Sequence, residues 1–282
     1  MFESLKKAAK RSPLAMKLAE GLRRLLFRNR LYLRYWKPVA IGKHYLGPAG
    51  YFNAAISDAN GASLPWFSYP ATHFLESVAQ KNWNVFEYGS GYSTEFWNGK
   101  CRRVVSVEHD EKWFDILRER NREFELHLLK EGADRARREI VELIRSFEAQ
   151  NFSLPRSTSA YFNKYHGLEN VAFADYAAKL MDFPKGFFDV IVVDGMARCL
   201  CAFIAAEYIS DTGIIILDNS DRWQYNAAHH YLIDQKGFDR LDFHGLGPVN
   251  TYGWTTSIFF KQIDFMRRAR TSREEGAGDL GR

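Results

Sequence analysis

The stretch Val85-Phe86-Glu87-Tyr88-Gly89-Ser90-Gly91-Tyr92-Ser93-Thr94 decides how this chain folds. A short apolar run, Val85–Tyr88, ends in Gly-x-Gly, and a helical pattern follows through Trp97. Glycine lets the backbone turn sharply between strand and helix and lets a ligand approach the main chain. A second apolar run, Arg103–Val107, leads into Glu108-His109-Asp110, so an acid ends the second strand 19 residues after Gly89. A carboxylate at that tip can accept both hydroxyls of a ribose. A lone Gly-x-Gly says little; one that follows a strand and precedes a helix and a second, acid-tipped strand predicts a nucleoside site.

The same alternation extends along the chain. Residues 71–81 read as a helix, a further helix starts near Lys112, and Leu126–Leu129 reads as a strand. Phe188–Val193 and Gly213–Leu217 are apolar runs of the kind that fills a doubly covered sheet. Helical patterns at Ala197–Ile209 and Arg222–Gln235 follow them. Phe238–Phe243 and Thr255–Phe260 are strands with no helix between them, which predicts an antiparallel pair at one edge. The expected fold class is therefore α/β: a doubly wound, mostly parallel seven-stranded sheet with an antiparallel edge strand, plus a helical N-terminal extension. Three segments follow: a basic, helical and irregular N-terminal extension (1–70), the α/β domain (71–261) with an insertion (131–170), and a flexible tail (262–282).

Composition narrows the function classes. The chain has 282 residues, 46% hydrophobic and 26% charged, enough for a sizeable core and against wholesale disorder. No apolar run reaches the 18 or so residues that span a bilayer, and the N-terminus lacks the apolar core of a secretory signal. Cys101, Cys199 and Cys201 are too few and too odd for a disulfide framework, which predicts a reducing, cytoplasmic setting. The net charge of +5 is uneven. Residues 1–37 hold eleven basic residues against Glu3 and Glu20, whereas the remainder is slightly acidic. Leu14, Leu18, Leu22, Leu25 and Leu26 follow helical spacing among Lys17, Arg23, Arg24 and Arg28. Such a helix either packs its leucines on the body or makes weak contact with an anionic membrane or RNA, peripheral to the bilayer.

The identity of the ligand turns on Glu87. A dinucleotide fingerprint wants Gly-x-Gly-x-x-Gly, but Thr94 stands at the last position. A carboxylate two residues before the first glycine would repel a pyrophosphate and suit a cationic ligand. Here the sequence resembles the class I S-adenosylmethionine-dependent methyltransferases, whose first motif is an acid followed by x-Gly-x-Gly-x-Gly. It is matched as Glu87-Tyr88-Gly89-Ser90-Gly91-Tyr92-Ser93, with Ser93 in place of the third glycine. The resemblance spans about residues 70–261 and implies a Rossmann-like, seven-stranded sheet with an antiparallel last strand. It implies Glu108 as the ribose acid with His109 beside it, Asp175 in Phe173-Ala174-Asp175-Tyr176 at the adenine, and Asp194 after Phe188–Val193 bordering the donor. The implied cofactor is S-adenosylmethionine, and the expected acceptor is an oxygen, with nitrogen as the second choice, of a small molecule or glycan. Asp194-Gly195-Met196-Ala197 lacks the Asp or Asn-Pro-Pro-aromatic motif of enzymes that methylate adenine N6.

Asp194 with Asp218-Asn219 also resembles the acidic set by which cation-dependent O-methyltransferases hold magnesium. Two carboxylates and an amide oxygen would suit Mg²⁺; alternatively Asp218 or Asn219 caps the following helix. The lysine base of the catechol type is missing, for Ala197 and Arg198 stand there, and arginine is a poor base. His229, beside His230 after Asp218-Asn219, is the candidate catalytic histidine together with Asp194. Tyr161, Tyr165 and His166 in the insertion are candidate acceptor contacts, and Pro65-Trp66-Phe67-Ser68-Tyr69-Pro70 either folds over the cofactor or packs beneath the extension. Two readings of another kind stay open: a nicotinamide-dependent oxidoreductase, and a non-catalytic membrane- or RNA-binding protein on the same fold.

Overall fold

A computed structural model describes residues 63–120, 123–132, 142, 172–248 and 252–267. The chain divides into two compact units, residues 1–54 with 248–251 and residues 55–247 with 252–282; all described residues except Pro248 belong to the second. The basic arm 1–37 lies outside the described residues, as does nearly all of the insertion, including Tyr161, Tyr165 and His166.

The second unit is built on seven strands. They are β1 (Asn84–Tyr88), β2 (Arg103–Glu108), β3 (Glu125–Leu128), β4 (Phe188–Val193), β5 (Ile209–Leu217), β6 (Asp239–Gly245) and β7 (Trp254–Phe260). They form one sheet in the order β3-β2-β1-β4-β5-β7-β6. β1 to β5 pair in parallel, and β7 runs antiparallel to both β5 and β6. The antiparallel pair lies at the edge, with the reversed strand slotted between β5 and the outermost β6. This is the doubly wound, mostly parallel sheet that the alternating motifs predict.

Helices cover both faces because alternate residues of each central strand point to opposite sides. Phe86, Tyr88, Val105, Val107, Ile191, Val193, Ile215, Leu217 and Phe259 share one cluster with α4 (Ala174–Ala178), α5 (Arg198–Tyr208) and α6 (Asn226–His230). Val85, Val104, Val190, Val192, Ile214, Ile216, Ile258 and Phe260 share the other with α1 (Tyr69–Val78), α2 (Tyr92–Asn98) and α3 (Glu111–Arg120). With both faces buried, β1 and the ends of β4 and β5 are almost wholly enclosed, hence their near-continuous apolar runs.

Several expected boundaries move. The helix foreseen over Arg222–Gln235 is a 3-10 turn, Trp223–Tyr225, then α6, then a π turn, Tyr231–Gln235. The expected tail opens with a short helix, α7 (Asp264–Arg267), whose Phe265 is buried against Phe260, so residues 264–267 are part of the packed body. The segment 63–68 likewise packs on this unit. Ser63 Oγ donates to Glu95 on α2, the Ser68 amide donates to Thr256 Oγ1 at 3.1 Å, and Ser68 Oγ donates to the Phe243 carbonyl at 2.7 Å. It forms a strap between α2 and the β6–β7 pair, with its own Phe67 fully buried.

Candidate functional site

The strand order reverses between β1 and β4, and in open α/β sheets ligands bind outside the carboxyl ends of the strands at such a point. Register brings Tyr88 level with Val107 and Val193, and Val193 level with Leu217. Glu108, Gly89, Asp194 and Asp218, each one residue further on, therefore form a row along one edge of the sheet.

Two glycine turns meet in that row. Gly89 has φ of 90°, and a Cβ there would lie 2.7 Å from the Gly195 Cα. At Gly195 a Cβ would collide with the Tyr176 hydroxyl. Gly91 is different: its φ of 176° is ordinary extended backbone, and a Cβ would reach no closer than 3.8 Å, to Trp113 Nε1. The tight position is thus Gly89, while Gly91 leaves room at the helix start.

Glu87 is fully buried under this turn. Thr94 Oγ1 donates to its Oε2, Ser106 Oγ donates to the same oxygen at 3.0 Å, and the Gly91 amide donates to Thr94 Oγ1 at 2.8 Å. Glu87 therefore fastens the glycine turn from beneath, through Thr94. Burial pushes its carboxyl up from 4.5 to about 7, against the pull of neighbouring hydroxyls. Tyr88 also faces inward: its hydroxyl donates to the Ala177 carbonyl at 2.7 Å and its ring packs on Phe86 and Tyr176.

Glu108 stands at the tip of β2, as its motif predicts. Its Oε2 accepts from the Ser90 amide (3.1 Å) and the Ser90 hydroxyl (2.7 Å); its Oε1 accepts from the amides of His109 and Asp110, both at 2.8 Å. The His109 ring stands edge-on to Phe173 (5.7 Å) and Tyr176 (6.3 Å), so it faces the segment that carries Asp175. Asp175 Oδ1 is buried with no hydrogen-bond partner among the described residues. Hydrogen bonds and ring contacts thus link the glycine turn, Glu108, His109 and the segment that carries Asp175. On the opposite side, Trp113 Nε1 donates to the Ser90 carbonyl at 2.7 Å, and Trp66 of the strap packs on Tyr92 and Trp113.

The side chains of Asp194, Asp218 and Asn219 are engaged by other groups of the protein. Arg198 reaches back from the first turn of α5 into the space between them. Its Nη2 lies 2.8 Å from Asp194 Oδ1, and its Nη1 donates to the Asp218 carbonyl at 2.6 Å and, at 3.4 Å, to Asn219 Oδ1. The Asp218 side chain turns elsewhere: its Oδ1 accepts from Trp254 Nε1 (3.0 Å) and Thr256 Oγ1 (2.5 Å). Burial, reinforced by Asp194, pushes Asp218 up to about 8. Burial also raises Asp194, against the pull of Arg198 and Arg222. Mg²⁺ does not fit a donor set that already surrounds a guanidinium. The capping alternative is not met either, since Arg222 stands at the start of the 3-10 turn with no side-chain cap.

His229 is turned to other partners. Its Nε2 lies 2.9 Å from the Ser220 carbonyl and must carry the proton, which leaves Nδ1 to accept from Arg240 Nη1 at 2.9 Å. Burial lowers its pKa, and the one lone pair that could take a proton is engaged. The expected catalytic role for His229 is therefore not supported. Arg198 reads in the sequence only as a poor base, although its i,i+4 spacing from Asp194 signals the ion pair; nothing local to the sequence marks Trp254 or Thr256.

No protein-family model matches the sequence, and a comparison with curated proteins finds no relative. Solved structures similar to the chain include a spermidine synthase from Thermotoga maritima (11% identity, TM-score 0.41), with 74% of this chain aligned to 62% of that one. A methyltransferase-like protein from Silicibacter pomeroyi shows 18% identity and a TM-score of 0.35, with 70% of this chain covered and 92% of that one. For a methyltransferase from Geobacter sulfurreducens the values are 11% and 0.43, with 80% and 89% covered. Against the synthase, the chain spans less than two thirds of the partner's length.

Proposed function

We propose that this chain is an S-adenosylmethionine-dependent methyltransferase acting on an oxygen of a small molecule or glycan. The observation that carries the reading is the row at the switch point: the glycine turn between acid-tipped β2 and acid-tipped β4, with His109 against the segment that carries Asp175. Glu108 would take the ribose, Asp175 and His109 would border the adenine, and Asp194 would border the donor's amino acid end. Bound S-adenosylmethionine supplies a methyl group already activated on a sulfonium, so the chain's work is to hold donor and acceptor in line. Trp66, Tyr92 and Trp113 pack on one another beside the turn.

Calorimetric titration of the full chain with S-adenosylhomocysteine and with NAD tests this. Saturable binding of the first and not the second is the expected result. Glu108→Ala should weaken it tenfold or more, since a charge-assisted pair of bonds worth roughly 1.5–3 kcal/mol each is lost. Binding of NAD alone would make the chain an oxidoreductase. A labelled methyl donor added to lysate fractions would then find the acceptor.

A further inference from the structure

The space between Asp194 and Asn219 is filled by a built-in cation. The guanidinium has five N–H donors, and each has an acceptor. Nε donates to the Gly195 carbonyl at 2.9 Å. Nη1 donates to the Asp218 carbonyl (2.6 Å) and Asn219 Oδ1 (3.4 Å), and Nη2 to the Asp194 carbonyl (3.0 Å) and Asp194 Oδ1 (2.8 Å). These acceptors are carbonyls, an amide oxygen and a carboxylate, the oxygen set that a hard divalent ion would use. The Arg198 and Asp194 side chains are only 11% and 19% exposed, and the Tyr225 ring lies 5.3 Å from the guanidinium carbon.

The backbone is bent to make this arrangement. Ala197 and Asn219 are the only non-glycine residues with positive φ among the described residues, at 47° and 51°. One immediately precedes Arg198 and the other supplies an acceptor to it. Both sit in the left-handed region that side chains avoid, so strain is concentrated at the two anchors of one ion. From this geometry we infer that Arg198 stands in for a divalent cation, tying the end of β4 to the end of β5, and that the site takes no metal. The inference rests on the proposed function only for what the site is used for; the cation's place is read from the contacts.

Water-proton relaxation with Mn²⁺ tests it on the full-length protein. Wild type should show no saturable enhancement that depends on Asp194, and EDTA should leave S-adenosylhomocysteine affinity unchanged. Arg198→Ala frees the oxygens and should create a new enhancement, which a second change, Asp194→Asn, removes. Saturable Mn²⁺ binding by wild type that Asp194→Asn abolishes would overturn the inference, as would a folded Arg198→Ala protein with no new enhancement. Should Arg198→Ala not fold, the wild-type and Asp194→Asn comparison decides alone. Failure of S-adenosylhomocysteine to bind would overturn the proposed function and leave the Mn²⁺ result to stand by itself.

Discussion

Gly89 and Gly91 look equivalent in the motif but have different physical reasons to be glycine. At Gly89, φ is 90° and a Cβ would press on the Gly195 backbone, so Gly89→Ala combines a left-handed penalty with a clash. It should cost at least about 2 kcal/mol. Gly91→Ala should stay within about 0.5 kcal/mol of wild type, because its φ is extended and its nearest contacts are ordinary. Urea unfolding of the two variants checks the contrast. Gly91→Leu should keep the fold while losing donor affinity, which calorimetry with S-adenosylhomocysteine reads. Glu87 adds a pH dependence. Its folded pKa of about 7 exceeds the ordinary 4.5, so between these values the folded state holds a proton that the unfolded state releases. Stability from this group is thus present at low pH and lost as pH rises to about 7, by about 3 kcal/mol. Glu87→Gln removes the effect. The variant should gain on wild type between pH 5 and pH 8 in urea midpoint, and a difference that does not vary with pH would refute the assignment.

The strap and the segment after β5 show how elements depart from their sequence signals. Pro65–Pro70 carries turn residues and aromatics, which fit either a cofactor cover or a packed wrap. Its Ser68 is bonded to β6 and β7, and Phe67 is fully buried in the core of the α1–α3 face. Phe67→Ala should therefore cost about 3–5 kcal/mol, as for other buried aromatic truncations, and the shift in urea midpoint would show it. A loss under 1 kcal/mol would mean the strap is only laid on the surface. After β5, the apolar period runs on through Gln235, but Asn219 turns left-handed and Tyr231–Gln235 widens to a π turn. Periodicity reports which side is buried and is blind to such local changes of pitch.

On the scale of the whole chain, charge is the dominant asymmetry. The eleven basic residues of 1–37 lie outside the described residues, and the rest of the chain is slightly acidic. No helix among the described residues is long and apolar enough to cross a membrane. If the arm contacts anionic lipid or RNA, deleting residues 1–37 should abolish retention on phosphatidylserine vesicles or on RNA. Full-length binding should weaken as salt rises, because exposed charges are screened within about 10 Å at 0.1 M. Equal retention with and without the arm would leave it a structural element.

By itself, the sequence determined the parallel sheet and the glycine turn at the end of its first strand. Continuous apolar runs need two covered faces, and a glycine turn after one strand with an acid at the tip of the next is a local pattern. Seven strands, their type and the place of Glu108 were legible for that reason. Only the tertiary structure decided what lies between the acids. Asp194 and Asp218-Asn219 read as a metal set because sequence lists residue types and not where side chains point. In the fold, Asp218 turns to Trp254 and Thr256, residues 36 and 38 positions away, and Arg198 fills the space. Likewise, His229 is taken by Ser220 and Arg240, and Glu87 is sealed beneath the turn it was expected to open onto. Each of these outcomes depends on contacts between segments far apart in the chain, which only packing brings together.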